Sequence, residues 1–358
     1  MVGDEVDSPP PHPLAALSPR TRVVLLWSGV ALLLLLAFAA AVGALQRSLY
    51  SAGGFASSYV ESLAAHDLRA ALAMPGAAPT EASLRAQGLP PTPSRELLRA
   101  DVLPTLTDIR VLNDDDLGTG EHLVEVQAKA DGHPVTARFS VRQTGAVLGL
   151  LPTWRFGATP LTVAHITVEH ADTFTVGGHT LEPRAAEAQP VGSFSVAADY
   201  LVFAPAVYVL GHTSKYLDAQ PVTLTASSPG RQLDVSVVAD PNNAFVADVE
   251  KQLNGYLDDC AKQHVLQPTG CPFGVVIDDR VEGQPSWSIV KYPMVSIVAG
   301  PSGWMMPDAQ GIAHLSVTVQ SLFDGTVSKR ERDEAFTVSL SSIVIRDDDG
   351  SLDITVAD

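Results

Sequence analysis

The hydrophobic pattern opens with a block rather than an alternation. Val23 to Leu45 reads VVLLWSGVALLLLLAFAAAVGAL, twenty-three residues without a charge. A helix rises about 1.5 Å per residue and a bilayer core is about 30 Å thick, so about 20 apolar residues span it. Residues 23–45 are therefore expected to form a transmembrane helix. Residues 1–22 are Pro-rich (SPPPHP at 8–13), lack an apolar period, and read as a disordered cytoplasmic tail.

Beyond the block the period changes to 3.6. Phe55, Tyr59, Leu63, Leu68 and Leu72 recur at helical spacing until Pro75-Gly76, which predicts an amphipathic helix over 51–74. A second short helix is expected over 94–102, with Ser94 as its cap. The period then falls to 2 in 107–112, 122–130, 135–143 and 147–156, with turns at 114–120, Asp131-Gly132 and Gly145. Residues 50–157 thus read as a helix followed by an antiparallel meander, an α+β cone-shaped domain.

Helical period is missing from 158–240. Short strands are expected at 161–168, 173–176, 193–196, 201–203, 206–210, 222–226 and 232–237, with Gly177-Gly178 as a hairpin turn. Their spacing suits a β-sandwich-like module of about 80 residues.

Asp240-Pro241-Asn242-Asn243 then breaks the chain, and Phe245, Val249, Leu253, Tyr256 and Leu257 form a helical stripe. Strands follow at 274–277, 287–292, 295–299, 312–323, 334–345 and 352–356. Residues 241–358 repeat the order of helix then antiparallel sheet and read as a second cone-shaped domain. The expected fold is one transmembrane helix, then two helix-plus-sheet domains flanking a β-sandwich-like module.

Charge adds direction and excludes partners. The net charge is −17, and residues 1–22 carry three acids and two arginines, so −16 lies beyond the apolar run. Such a surface repels nucleic-acid phosphates and anionic lipid headgroups, so neither is expected as a partner. Arg20 and Arg22 abut the run on its N-terminal side and Arg47 stands alone on the other, which places the N-terminus inside. A signal peptide cut after Ala44, in Val42-Gly43-Ala44, is the competing reading, although signal-peptide apolar cores are shorter, about 7–15 residues.

Cys260 and Cys271 both lie beyond the run. An even pair this close suits a disulfide in an oxidising compartment and puts the C-terminal bulk outside the cell. Free thiols and a metal site are the alternatives, but two thiolates alone do not complete a zinc site.

Other chemistry is sparse. The acids 114–116 and 347–349, the latter followed by Gly350 and Asp353, invite calcium but lack an EF-hand loop's terminal Glu and read as hairpin turns. His165 and His170, five apart, have the wrong parity to share a metal from one strand. His179 and His212 are read as structural too. Trp304-Met305-Met306 is either an exposed recognition loop or a core plug, the second being favoured. No Gly-x-Ser-x-Gly, His-Glu-x-x-His or phosphate-binding glycine loop occurs. No catalytic residue, cofactor or metal ligand is assigned.

Six lysines stand against seventeen arginines, a usage like that of high-GC actinobacteria. The stretch LNGYLDDCAKQHVLQPTGCPFG (253–274), with the one-anchor layout, resembles uncharacterised actinobacterial single-pass envelope proteins with nuclear-transport-factor-2-like extracytoplasmic domains. More remotely the layout is similar to teicoplanin-resistance-associated membrane proteins, without their N-terminal zinc ribbon. The resemblance implies an envelope location and little chemistry. The expected function is a non-enzymatic, membrane-anchored scaffold or binding protein that engages another envelope protein or the cell wall. The alternative is a ligand sensor or enzyme with a pocket in one cone. The pattern specifies no oligomeric state.

Overall fold

The computed structural model describes residues 19–48, 50–147, 151–183, 189–192, 194–346 and 351–357. Most of the expected N-terminal tail and the 347–350 acidic turn lie outside the described residues.

An apolar N-terminal helix is followed by a mostly β structure. Helix α1 (Pro19–Ser48) contains the apolar block, and no part of Val23–Ala40 is buried against the rest of the chain. It is long and apolar enough to cross a bilayer.

The expected helix over 51–74 is two helices, α2 (Ala52–Ala64) and α3 (Leu68–Ala73). Between them His66 takes a left-handed φ of 55°, held by its ring nitrogen on the Ala100 carbonyl, and Asp67 caps the second helix. Helix α4 (Glu81–Ala86) starts at Thr80 with a capping box. The expected helix over 94–102 forms only a 3-10 turn at Ala100–Val102. The Ser94 hydroxyl accepts from the Glu96 N–H at 3.3 Å, but its backbone bonds to the next sheet, from its N–H to the Asp199 carbonyl and from the Leu201 N–H to its carbonyl, both 2.8 Å.

Strands β1 (Leu106–Asp116), β2 (Glu121–Ala130), β3 (His133–Val147) and β4 (Leu151–Phe156) form an antiparallel meander in chain order. Gly145 is no turn: it pairs with Thr153 inside the β3–β4 ladder. The buried face of α2 lies on this sheet, and Tyr59 packs edge-on against Phe139 and Phe156 at 5.7 and 5.3 Å.

Nine strands follow among the described residues: β5 (Leu161–Glu169), β6 (Phe174–Val176), β7 (His179–Leu181), β8 (Gln189–Gly192), β9 (Ser195–Phe203), β10 (Ala206–Gly211), β11 (Leu217–Ala219), β12 (Val222–Ala226) and β13 (Gln232–Pro241). They make two sheets, ordered β12-β10-β6-β7 and β11-β13-β5-β9-β8. The β6–β7 hairpin turns at Gly177 and Gly178, whose φ values of 55° and 80° meet the demand of a two-residue turn for positive φ at both positions. One strand, β9, replaces the two expected at 193–196 and 201–203. Ala197, Ala198, Tyr200 and Leu201 are all buried, so this central strand shows no alternation to read. Strand β13 runs parallel to β5.

Helix α5 (Asn243–Ala261) is capped by Asn242, whose side-chain oxygen accepts from the Ala244 and Phe245 N–H groups. Strands β14 (Arg280–Lys291), β15 (Val298–Ala299), β16 (Trp304–Gln320), β17 (Val327–Ile345) and β18 (Leu352–Val356) complete the chain. Their sheet order is β14-β16-β17-β18, with β15 also paired to β16. Residues 274–277, expected as a strand, have no ladder; the Val275 N–H bonds to the Leu266 carbonyl.

Two buried clusters hold the folded part. One runs without interruption from Ala52 through the meander to Val237 and crosses the expected boundary at 157/158. The other joins α5 to the last sheet and takes in Tyr216, Leu217 and Ala239 from the middle strands. In the first, the Tyr59 hydroxyl is fully buried and has no hydrogen-bond partner among the described residues. Burial, with a smaller contribution from the Tyr208 phenol, holds its pKa well above the ordinary phenol range. An unpaired buried hydroxyl is costly, so Tyr59→Phe is expected to raise the unfolding free energy by about 1 kcal/mol, read by urea denaturation.

Candidate functional site

The residues singled out from sequence do not converge. Cys260, at the end of α5, and Cys271 lie at disulfide distance with Cα atoms 5.8 Å apart. A bond between them would tie the helix end to the loop where Tyr256 bonds the Gly270 carbonyl and Gln263 accepts from the Thr269 N–H. Closing so short a loop restricts the unfolded chain, so reduction is expected to cost about 3 kcal/mol. Urea titrations with and without dithiothreitol measure the loss.

The histidines are dispersed. His165 bonds Asp199 at 2.8 Å, His179 pairs with Asp101 at 2.9 Å, and the His212 Nδ1–H donates to the Thr173 carbonyl at 2.8 Å. His170 lies past the end of β5 at φ 66°, so strand parity is not what separates it from His165. Among the described residues no three His, Cys, Asp or Glu side chains are placed to hold a metal. Trp304 and Met306 are buried at the start of β16, in line with the core-plug reading.

The acids at 114–116 serve the β1–β2 hairpin. Asp116 accepts from the Gly118 N–H, and Asp115 accepts from the Asn113 amide. Asp114 does more, since one oxygen takes the Gly53 N–H at 3.1 Å in the first turn of α2 and the other takes His122 at 2.7 Å. A carboxylate there is favoured by the helix dipole. The His122 ring stands edge-on to Trp154 at 5.0 Å, and Trp154 donates to the Tyr50 carbonyl at 2.7 Å. Tyr50, α2, β1, β2 and β4 are thus fastened together immediately after α1. Sequence reading missed this joint, whose longest link spans 104 residues.

A second feature lies at the turn between β16 and β17. Leu322 is 71% exposed and Phe323 99%. Asp279 anchors this turn by accepting from the Leu322 N–H and pairing with Arg330. Two large apolar residues in a hairpin turn, where polar residues usually stand, are the sequence signal that was available. Beside it, among the described residues, β17 from Val327 to Val338 has no partner on the side where β18 pairs from Leu340 onward. That edge carries Lys329, Arg330, Glu331, Arg332, Asp333 and Glu334, the dense charge that keeps free edges from pairing with other chains.

No protein-family model, no curated protein and no solved structure matches this chain.

Proposed function

We propose that this protein is a membrane-anchored extracytoplasmic scaffold or binding protein of the bacterial cell envelope, and that it acts without catalysis. The observation that carries this reading is α1. Its apolar surface over 23–40 is wholly uncovered, and only residues 49–51 separate it from a folded, mostly β structure. A bilayer is the solvent that such a surface fits. The arginine bias supports an N-terminus in the cytoplasm, and the cysteine pair at disulfide distance supports an oxidising compartment for the rest.

The layout we propose is a tail at 1–22, an anchor at 23–45, helix-plus-sheet domains at 50–157 and 241–358, and a sandwich-like module at 158–240. The stacking of α2 on the meander and of α5 on the last sheet supports the cone-shaped, nuclear-transport-factor-2-like reading of the two outer parts. Likeness to actinobacterial envelope proteins rests on the 253–274 stretch.

Phe323 and Leu322 are the binding residues we favour, because two adjacent large apolar side chains stand exposed at a turn, where polar residues are usual. In-cell crosslinking of the full-length protein, followed by mass spectrometry, tests the reading. Reproducible links from residues beyond 50 to particular envelope proteins or cell-wall material are expected, and Phe323→Asp should weaken them while leaving the fold intact. Links to nothing but the protein itself would refute the scaffold role. An N-terminus cut after Ala44 in membrane fractions would replace the anchor with a signal peptide.

A further inference from the structure

The last sheet has two open edges, and they differ in chemistry. On one side β14 and β15 pair with β16, while the segment between them, 292–297, has no ladder partner. Lys291 faces Ile312 and Val298 faces Met305, so six residues stand against six, 306–311, without a slip in register. The ladder nevertheless stops there. Pro293 and Pro307 lack the N–H that a ladder uses, and β16 shifts its register to β17 between Met306 and Ala309. Among the described residues, 293–296 make no backbone–backbone hydrogen bond.

Val295 is buried and Ile297 packs against the second cluster, which fixes the segment at the rim of the sheet. The alternate residues face water: Met294 is 85% exposed, Ser296 is exposed and Val298 is 42% exposed. Tyr292 gives its hydroxyl to Asp258 of α5. From Tyr292 to Pro307 the sequence has sixteen residues without a charge. An edge that offers free backbone groups beside apolar side chains is a template for another strand.

Charge selects which strand fits. When an edge pairs antiparallel with its own copy about a two-fold axis, one residue faces itself and those on either side face each other. On the free edge of β17 that residue is charged wherever it falls between Lys329 and Glu334, so like charges oppose there. Within 292–297 it is never charged, and Lys291 always meets an uncharged residue. Centred on Met294, the pairing sets Met294 against Met294, Val290 against Val298, Tyr292 against Ser296 and Lys291 against Ile297. We infer that 290–298 is a homotypic contact, through which two copies of this chain join edge to edge with Met294 at the two-fold axis. The contact stands whether α1 is an anchor or a signal peptide.

The test uses the full chain purified in dodecyl maltoside, with its protein mass read by light scattering after gel filtration. A mass about twice that of one chain is expected. Met294→Asp and Met294→Lys each set like charges on the axis, so each should run as a monomer while keeping the parent circular dichroism. Mixed together they place Asp against Lys and should return to the dimer. A monomeric parent chain overturns the inference. So does a dimer that survives either substitution, because the contact would then lie elsewhere, in α1 for example. Two variants that stay monomeric when mixed also overturn it, because residue 294 would not face its own copy.

Discussion

Trp304→Ala is expected to cost about 3–5 kcal/mol of stability, the usual range for removing a buried tryptophan. The ring is 4% exposed and belongs to the second buried cluster. It packs edge-on against Phe245 of α5 at 5.9 Å and against Phe194 at 5.3 Å, and it meets His170 at 5.5 Å. Each such aromatic pair adds about 0.5–1.5 kcal/mol beyond area burial, which places the loss in the upper half of the range. His170 just follows β5 and Phe194 just precedes β9, while Phe245 belongs to the C-terminal part. The variant should therefore loosen the attachment between them as well as the local core. Urea unfolding followed by tryptophan fluorescence measures the loss, with Met305→Ala, a half-buried neighbour, as the milder control. A loss under about 1 kcal/mol would show that the cavity collapses and that the junction does not need the ring.

Gly76→Ala should be nearly as damaging for a different reason. Gly76 has φ 81°, and a Cβ built there lies 2.6 Å from the Phe156 carbonyl oxygen and 3.0 Å from its nitrogen. A left-handed φ costs an L-residue about 1–2 kcal/mol. The clash is with backbone, which cannot swing aside, and overpacking of that kind adds about 1–3 kcal/mol. Phe156 is also the residue against which Phe55, Tyr59 and Phe139 pack, so any shift of its backbone is felt across the aromatic group. The expected loss is thus about 2–5 kcal/mol. Gly88→Ala separates the two terms. Gly88 has φ 71° with nothing within 4 Å of its Cβ, so it should lose only the backbone part. Equal losses at 76 and 88 would show that Phe156 gives way without cost.

The parts of this protein legible in its sequence are those with local causes. An uncharged run of twenty-three residues leaves the N-terminal segment little choice but an apolar helix. Asn242 supplies a side-chain acceptor at the start of α5, and the stripe through Phe245, Val249, Leu253 and Leu257 is the face that is buried. Gly177-Gly178 provides the backbone freedom that a two-residue hairpin requires, and β12 and β18 begin and end where the alternation does. Cys260 and Cys271 are close in sequence and stand at disulfide distance.

Tertiary structure decided what depends on distant pairing. Nothing near Ser94 announces that its backbone joins β9. The break at His66 depends on the Ala100 carbonyl thirty-four residues away. Strand β13 lies parallel to β5, β9 is buried on both faces, and the first cluster runs through the expected boundary at 157/158. The joint of Tyr50, Gly53, Asp114, His122 and Trp154 is assembled from segments that the sheet alone brings together. Local propensity acts through neighbours on the chain. These features are settled by which strands lie side by side, a choice set by burying the whole apolar surface at once.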